Sequence, residues 1–259
     1  MENHGFDEII GNTEAPYINS LAHDYALATN YFAVDHPSLP DYLALAGGST
    51  YGITSDCTSC SASGESLANQ LTTAGITWAA YLEGAPSPCF TGAEAGRYAK
   101  KHNPFAYFKA VTGDPALCSR LGPASRLSGD IRSGGLPTFV WLTPDLCNDM
   151  HDCSVATGDT YLSKTVPDLL TALGPRGALF LVWDEAGGSD DSGCCGGRAH
   201  GGHVTAIVAG GAARKGARSS VAYDHYSVLR TIEDGFGLPR LGEASCSCTQ
   251  PMTDLLTEG

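Results

Sequence analysis

Apolar residues in this chain fall in short, nearly continuous runs: "NYFAV" (30 to 34), "TWAAYL" (77 to 82), "TFVWL" (138 to 142), "ALFLVW" (178 to 183) and "VTAIVA" (204 to 209). Runs without polar alternation predict strands buried on both faces. Between them the spacing becomes helical, at Leu67 and Leu71, at Val166, Leu169, Leu170 and Leu173, and at Leu229, Ile232 and Phe236. Asp224 or Ser227 is placed to cap the last of these helices, and Gly235, Gly237 and Pro239 to end it. Strands alternating with helices predict an α/β fold, a mostly parallel central sheet with helices on both faces. Glycine and serine thicken at 47 to 64 and at 186 to 202, which predicts long loops over a site.

Polar chemistry collects where the strands end. "NYFAV" runs into Asp35-His36-Pro37-Ser38, "TFVWL" into "TPDLCNDMHDC", and "ALFLVW" into Asp184-Glu185. In open α/β sheets the carboxyl ends of strands line the ligand crevice, so these clusters are expected to converge. The opening stretch, "MENHGFDEIIG", carries a similar cluster in Glu2-Asn3-His4 with no strand before it. We expect an apolar strand ahead of Met1 that this chain does not include.

At 259 residues and 42% hydrophobic content, the chain suits one domain, 1–259, with a substantial core. A net charge of −13 repels polyanions, which argues against a nucleic-acid groove and against docking on an acidic membrane by bulk charge. No apolar run reaches the roughly 18 residues that span a bilayer, so stable membrane insertion is not expected. A phosphate ligand would need local positive charge, most simply a metal ion. Ten cysteines, several close together, predict disulfides in an oxidising compartment. Only Cys57 and Cys60 have zinc-like CxxC spacing, and no second pair completes that site.

Six strings in register, "MENHGFDEIIG", "HPSLPDYLALAGGSTYGI", "KHNPFAYF", "TPDLCNDMHD", "VWDEAGG" and "HYSVLRTIEDGFGLPRLG", resemble the phosphoesterase family of acid phosphatases and bacterial phospholipases C. That family is a branch of the alkaline phosphatase superfamily. The resemblance runs from residue 1 to about 243 and implies a secreted, metal-dependent hydrolase of small phosphorylated substrates. Phosphate monoesters are the expected substrates, with a phospholipase C-type phosphodiester or a phosphoinositide as alternatives. An inactive metal-binding relative is the contrasting reading.

On this resemblance Ser38 is the expected nucleophile. A hydroxyl at a strand mouth and a helix N-terminus suits phosphate, and a phosphoserine intermediate would follow. Glu2, Asn3, Asp184 and Glu185 are the expected ligands of a divalent metal ion, since carboxylates and an amide oxygen are hard donors. Asp149 and His151, with His203 as partner, would either hold a second metal ion or act on phosphate directly; one ion is expected and two remain open. His102, Lys101 and His36 are further candidates near the phosphate. Two departures stand out, because family members mostly carry Asn where this chain has Asp41 and Asp145. An Asn at 41 would donate to phosphate, whereas an ionised Asp41 would repel it.

Overall fold

The computed structural model describes residues 1–188 and 190–257. In chain order its main elements are helix α1 (Pro16–Asp24), strands β1 (Ala26–Ala28) and β2 (Tyr31–Phe32), helices α2 (Ser38–Gly47) and α3 (Leu67–Thr73), and strands β3 (Trp78–Leu82), β4 (Leu121–Pro123) and β5 (Phe139–Thr143). Helix α4 (Val155–Leu173), strands β6 (Leu179–Val182), β7 (Ala206–Ala209), β8 (Arg218–Ser219) and β9 (Tyr223–Asp224), and helix α5 (His225–Phe236) follow.

Every apolar run contains a strand. β4, β3 and β5 form a parallel sheet in that order, and β8, β1, β7 and β6 form a second sheet. The second is mixed: β7 runs antiparallel to both β1 and β6. Among the described residues no helix lies between β6 and β7, so the chain returns without a helical crossover. The run at 30 to 34 is a formal strand only at Tyr31–Phe32, yet it stays extended. Ala33 accepts the Gly201 amide and Val34 accepts the His200 amide, both at 3.0 Å. Residues 1 and 2 link the end of β6 to the loop that follows β5. The Met1 nitrogen donates to Val182 O and its carbonyl accepts from the Asp184 amide, both at 3.0 Å, while the Glu2 amide reaches Asp149 O at 2.9 Å.

Helix α2 is apolar nearly all round and is buried accordingly, with Leu39, Leu43 and Ala46 in the core. It must stop at "AGG". A Cβ on Gly47 would lie 2.2 Å from the Tyr51 hydroxyl, and Gly48, at φ 73°, would put one 2.4 Å from Leu241 O. Helix α5 starts on a reciprocal cap. Asp224 accepts the Ser227 amide at 3.0 Å, and the Ser227 hydroxyl accepts the Asp224 amide at 3.2 Å.

All ten cysteines are paired: Cys57–Cys60, Cys89–Cys118, Cys147–Cys153, Cys194–Cys195 and Cys246–Cys248. The stabilisation from such links grows with the loop they close, and only Cys89–Cys118 spans a long one, of 29 residues. Replacing Cys89 and Cys118 together by Ser is expected to lower unfolding free energy by about 2 kcal/mol more than replacing Cys246 and Cys248. Urea unfolding of the two double variants checks this; equal losses would contradict it.

Candidate active site

Ser38 opens helix α2 directly after the extended segment that follows β2, and its side chain is fully buried. Its Oγ lies 2.9 Å from Glu185 Oε1 and 3.2 Å from Glu2 Oε2. Lys101 Nζ is 3.5 Å away on another side. The helix N-terminus is already engaged, because Asp56 accepts the Leu39 amide through Oδ1 at 3.0 Å. The other oxygen of Asp56 accepts from Lys101 at 3.0 Å, which fixes the ammonium beside the serine.

Behind Ser38 the site is a group of buried acids: Glu2, Asp149, Asp184 and Glu185. His102 stands among them, with Nε2 3.1 Å from Glu2 and Nδ1 3.2 Å from Asp149. Those are ion-pair separations without hydrogen-bond alignment, since Nε2 and Asp149 Oδ2 have no aligned partner among the described residues. Burial disfavours the charged imidazole, but Glu2 and Asp149 outweigh it and raise His102 to about 9. Glu2 would likewise rise on burial, yet His102 beside it holds its carboxyl well below the usual range. Tyr42, one helix turn beyond Ser38, stacks on His102 with centroids 5.2 Å apart and donates its hydroxyl to Glu2 Oε1.

The expected residues divide into those that meet and those that do not. Glu2, Ser38, Lys101, His102, Asp149, Asp184 and Glu185 converge. The Asn3 amide, at a left-handed φ of 54°, donates to Asp184 Oδ1 at 3.2 Å. His36 joins through Nδ1 on Glu185 Oε2, and His151 through Nε2, 3.2 Å from Lys101 Nζ. His151 Nδ1 lies 2.7 Å from Asp152, so donation there leaves Nε2 to accept from the lysine.

His203 is placed elsewhere: its ring stacks on Phe6 at 4.5 Å and Nε2 sits 3.2 Å from Thr29 O, apart from the Ser38 group. Asp41 also departs from its expected place against phosphate. It is fully buried, and its Oδ1 is taken by the Val34 and Asp35 amides and by His225. Tyr42 and Asp56 went unnoticed in the sequence, and His225 reads there only as part of a helix start. The spacing of Tyr42 from Ser38 on one helix is the one signal that could have found any of them.

A divalent cation fits this donor set. Asp184 Oδ2 is buried without a partner among the described residues. Burial, then the adjacent Glu2 and Glu185, push its carboxyl well above the ordinary range, the mark of an acid lacking a counter-charge. Oxygen donors in such number suit Mg, Ca, Mn, Zn or Fe. A second grouping, Glu2, His102 and Asp149, brings its donor atoms within 4.8 Å of one another.

The fold is that of solved structures from the alkaline phosphatase superfamily. A protein of that superfamily from Vibrio parahaemolyticus superposes with a TM-score of 0.63 at 13% identity, covering 98% of this chain and 68% of its own. The phosphonate monoester hydrolase of Silicibacter pomeroyi gives 0.57 at 10% identity, covering 98% and 75%. The chain belongs to the Phosphoesterase family, whose model matches residues 10–239, and is a phosphoric ester hydrolase.

It is 35% identical over 258 residues to a phosphatidylinositol-3-phosphatase of Mycobacterium tuberculosis, covering 98% of this chain and 80% of that one. A phosphate-repressible acid phosphatase of Penicillium chrysogenum is 28% identical over 88% of this chain, which spans 56% of the fungal protein's length.

His102→Ala would strand Glu2 and Asp149 as buried charges and is expected to cost about 3–5 kcal/mol of stability. In chelator-treated protein the His102 contribution is complete below about pH 6.5 and is lost as pH rises through about 9, because folding raises its pKa. Urea unfolding across that range should show wild-type stability falling and a flatter profile in the variant. Parallel profiles would contradict the pairing.

Proposed function

We propose that this protein hydrolyses phosphate monoesters through a phosphoserine at Ser38, with a divalent metal ion held by Glu2, Asn3, Asp184 and Glu185. The observation that carries this reading is the buried Ser38 hydroxyl, set between Glu185 and Glu2 with Lys101 beside it. When bound, the ion would supply Lewis-acid stabilisation of charge on the serine oxygen and the phosphoryl group.

The protein's own groups account for positions and protons. Ser38 Oγ attacks phosphorus as its proton passes to Glu185 Oε1, 2.9 Å away. Lys101 enters the reaction charged, since Asp56 and Glu2 outweigh the effect of burial on it, and its ammonium is placed to meet the incoming phosphate group. The proton shared by Lys101 and His151 goes to the departing ester oxygen as the P–O bond breaks. Water then attacks the phosphoserine, Glu185 returns its proton to Ser38 Oγ, and water's proton restores the Lys101–His151 pair as phosphate leaves.

The mycobacterial relative's name favours phosphoinositide monoesters among the possible substrates. Five disulfides support an extracellular or otherwise oxidising location.

Hydrolysis of p-nitrophenyl phosphate by wild type and Ser38→Ala, each with chelator or added divalent metals, tests the chemistry. Metal-dependent turnover that falls about 10³-fold or more in the variant is expected. Acid-quenched wild type should carry phosphate on Ser38 by mass spectrometry. Undiminished turnover by Ser38→Ala would refute the serine mechanism. A short-chain phosphatidylinositol 3-phosphate assayed in parallel tests the substrate class, and kcat/KM no better than for p-nitrophenyl phosphate would count against phosphoinositides.

A further inference from the structure

Asp41 and His225 are both fully buried and touch each other inside the fold, His225 Nε2 lying 3.0 Å from Asp41 Oδ1. Each also holds a different part of the site. Asp41 sits one turn beyond Ser38 on α2, and its Oδ1 accepts the Val34 amide at 2.7 Å and the Asp35 amide at 3.1 Å. It thereby ties the start of the helix to the segment leading into His36 and Ser38. His225, the first residue of α5, places the same Nε2 2.6 Å from Asp184 O. Both neighbours of Nε2 are acceptors, so that nitrogen carries the hydrogen. Nδ1, 2.7 Å from the Tyr31 hydroxyl, then accepts from Tyr31.

One buried imidazole therefore lies between the helix that carries the serine, whose Asp41 it faces, and the strand end that carries Asp184 and Glu185, to which its N–H donates. We propose that Asp41 and His225 are positioning residues that set the serine against the acids it must work with, and that neither touches phosphate. The inference rests on the reading of Ser38 as nucleophile. A misplacement of about 1 Å between reacting groups is enough to cost about 10²-fold in rate. Asp41 Oδ2 has no hydrogen-bond partner among the described residues, so Asp41→Asn can place its NH2 there and keep one acceptor oxygen toward Val34, Asp35 and His225, at the loss of the charge.

The test is steady-state kinetics on p-nitrophenyl phosphate with Ser38→Ala, Asp41→Leu, Asp41→Asn and Tyr31→Phe, each checked for folding by near-UV circular dichroism. Asp41→Leu is expected to lose about 10²-fold in kcat with KM within about twofold of wild type. Asp41→Asn should restore kcat to within about threefold. Tyr31→Phe removes one hydroxyl, should lower kcat about three- to tenfold at unchanged KM, and carries the test if Asp41→Leu does not fold. A rise in KM at constant kcat in Asp41→Leu or Tyr31→Phe would make this network a substrate-binding element and overturn the proposal. Unchanged kinetics alongside an inactive Ser38→Ala would overturn it while leaving the serine mechanism intact. Full activity in Ser38→Ala would overturn both.

Discussion

The structure depends on keeping four acids, Glu2, Asp149, Asp184 and Glu185, out of water around one hydroxyl. Carboxylates so placed repel one another and lose hydration, and a fold tolerates that only with compensating charge nearby. His102 supplies part of it from inside the cluster, and Lys101 and His36 supply more from the rim. The compensation is incomplete at Asp184, where a cation has most to gain. The same deficit of positive charge that makes the bare site costly is what would make it bind a small hard cation.

The surrounding scaffold serves to hold these groups at fixed separations. Helix α2 is enclosed in the core, so Ser38, Asp41 and Tyr42 inherit its rigidity. Its approach is clamped by "AGG" at the far end and by Asp56 at the near end. Residues 1 and 2 bridge the end of β6 and the loop that follows β5, which puts Glu2 where it meets acids carried by both.

Much of this was legible in the sequence because continuous apolar runs and strand-end acids are local signals. The strands at 78–82, 139–143 and 179–182, and the meeting of Glu2, Ser38, Asp184 and Glu185, follow from them. What was not legible depends on the path of the chain. Strand β1, Ala-Leu-Ala, is too short and lacks the β-branched residues that mark a strand. The reversed direction of β7 goes with a connection that carries no helix among the described residues. His203 looked available in a glycine-rich loop, but stacking on Phe6 takes it up. Asp41 looked like a flawed phosphate ligand because its partner, His225, lies 184 residues away in the sequence, where it reads as an ordinary helix start.

The disulfides have one further property, which is that every cysteine is joined to the next one along the chain. Such a set can be completed strictly in order of emergence, each bond closing before the next pair arrives. Closing such a set needs an oxidant but no exchange of partners between pairs.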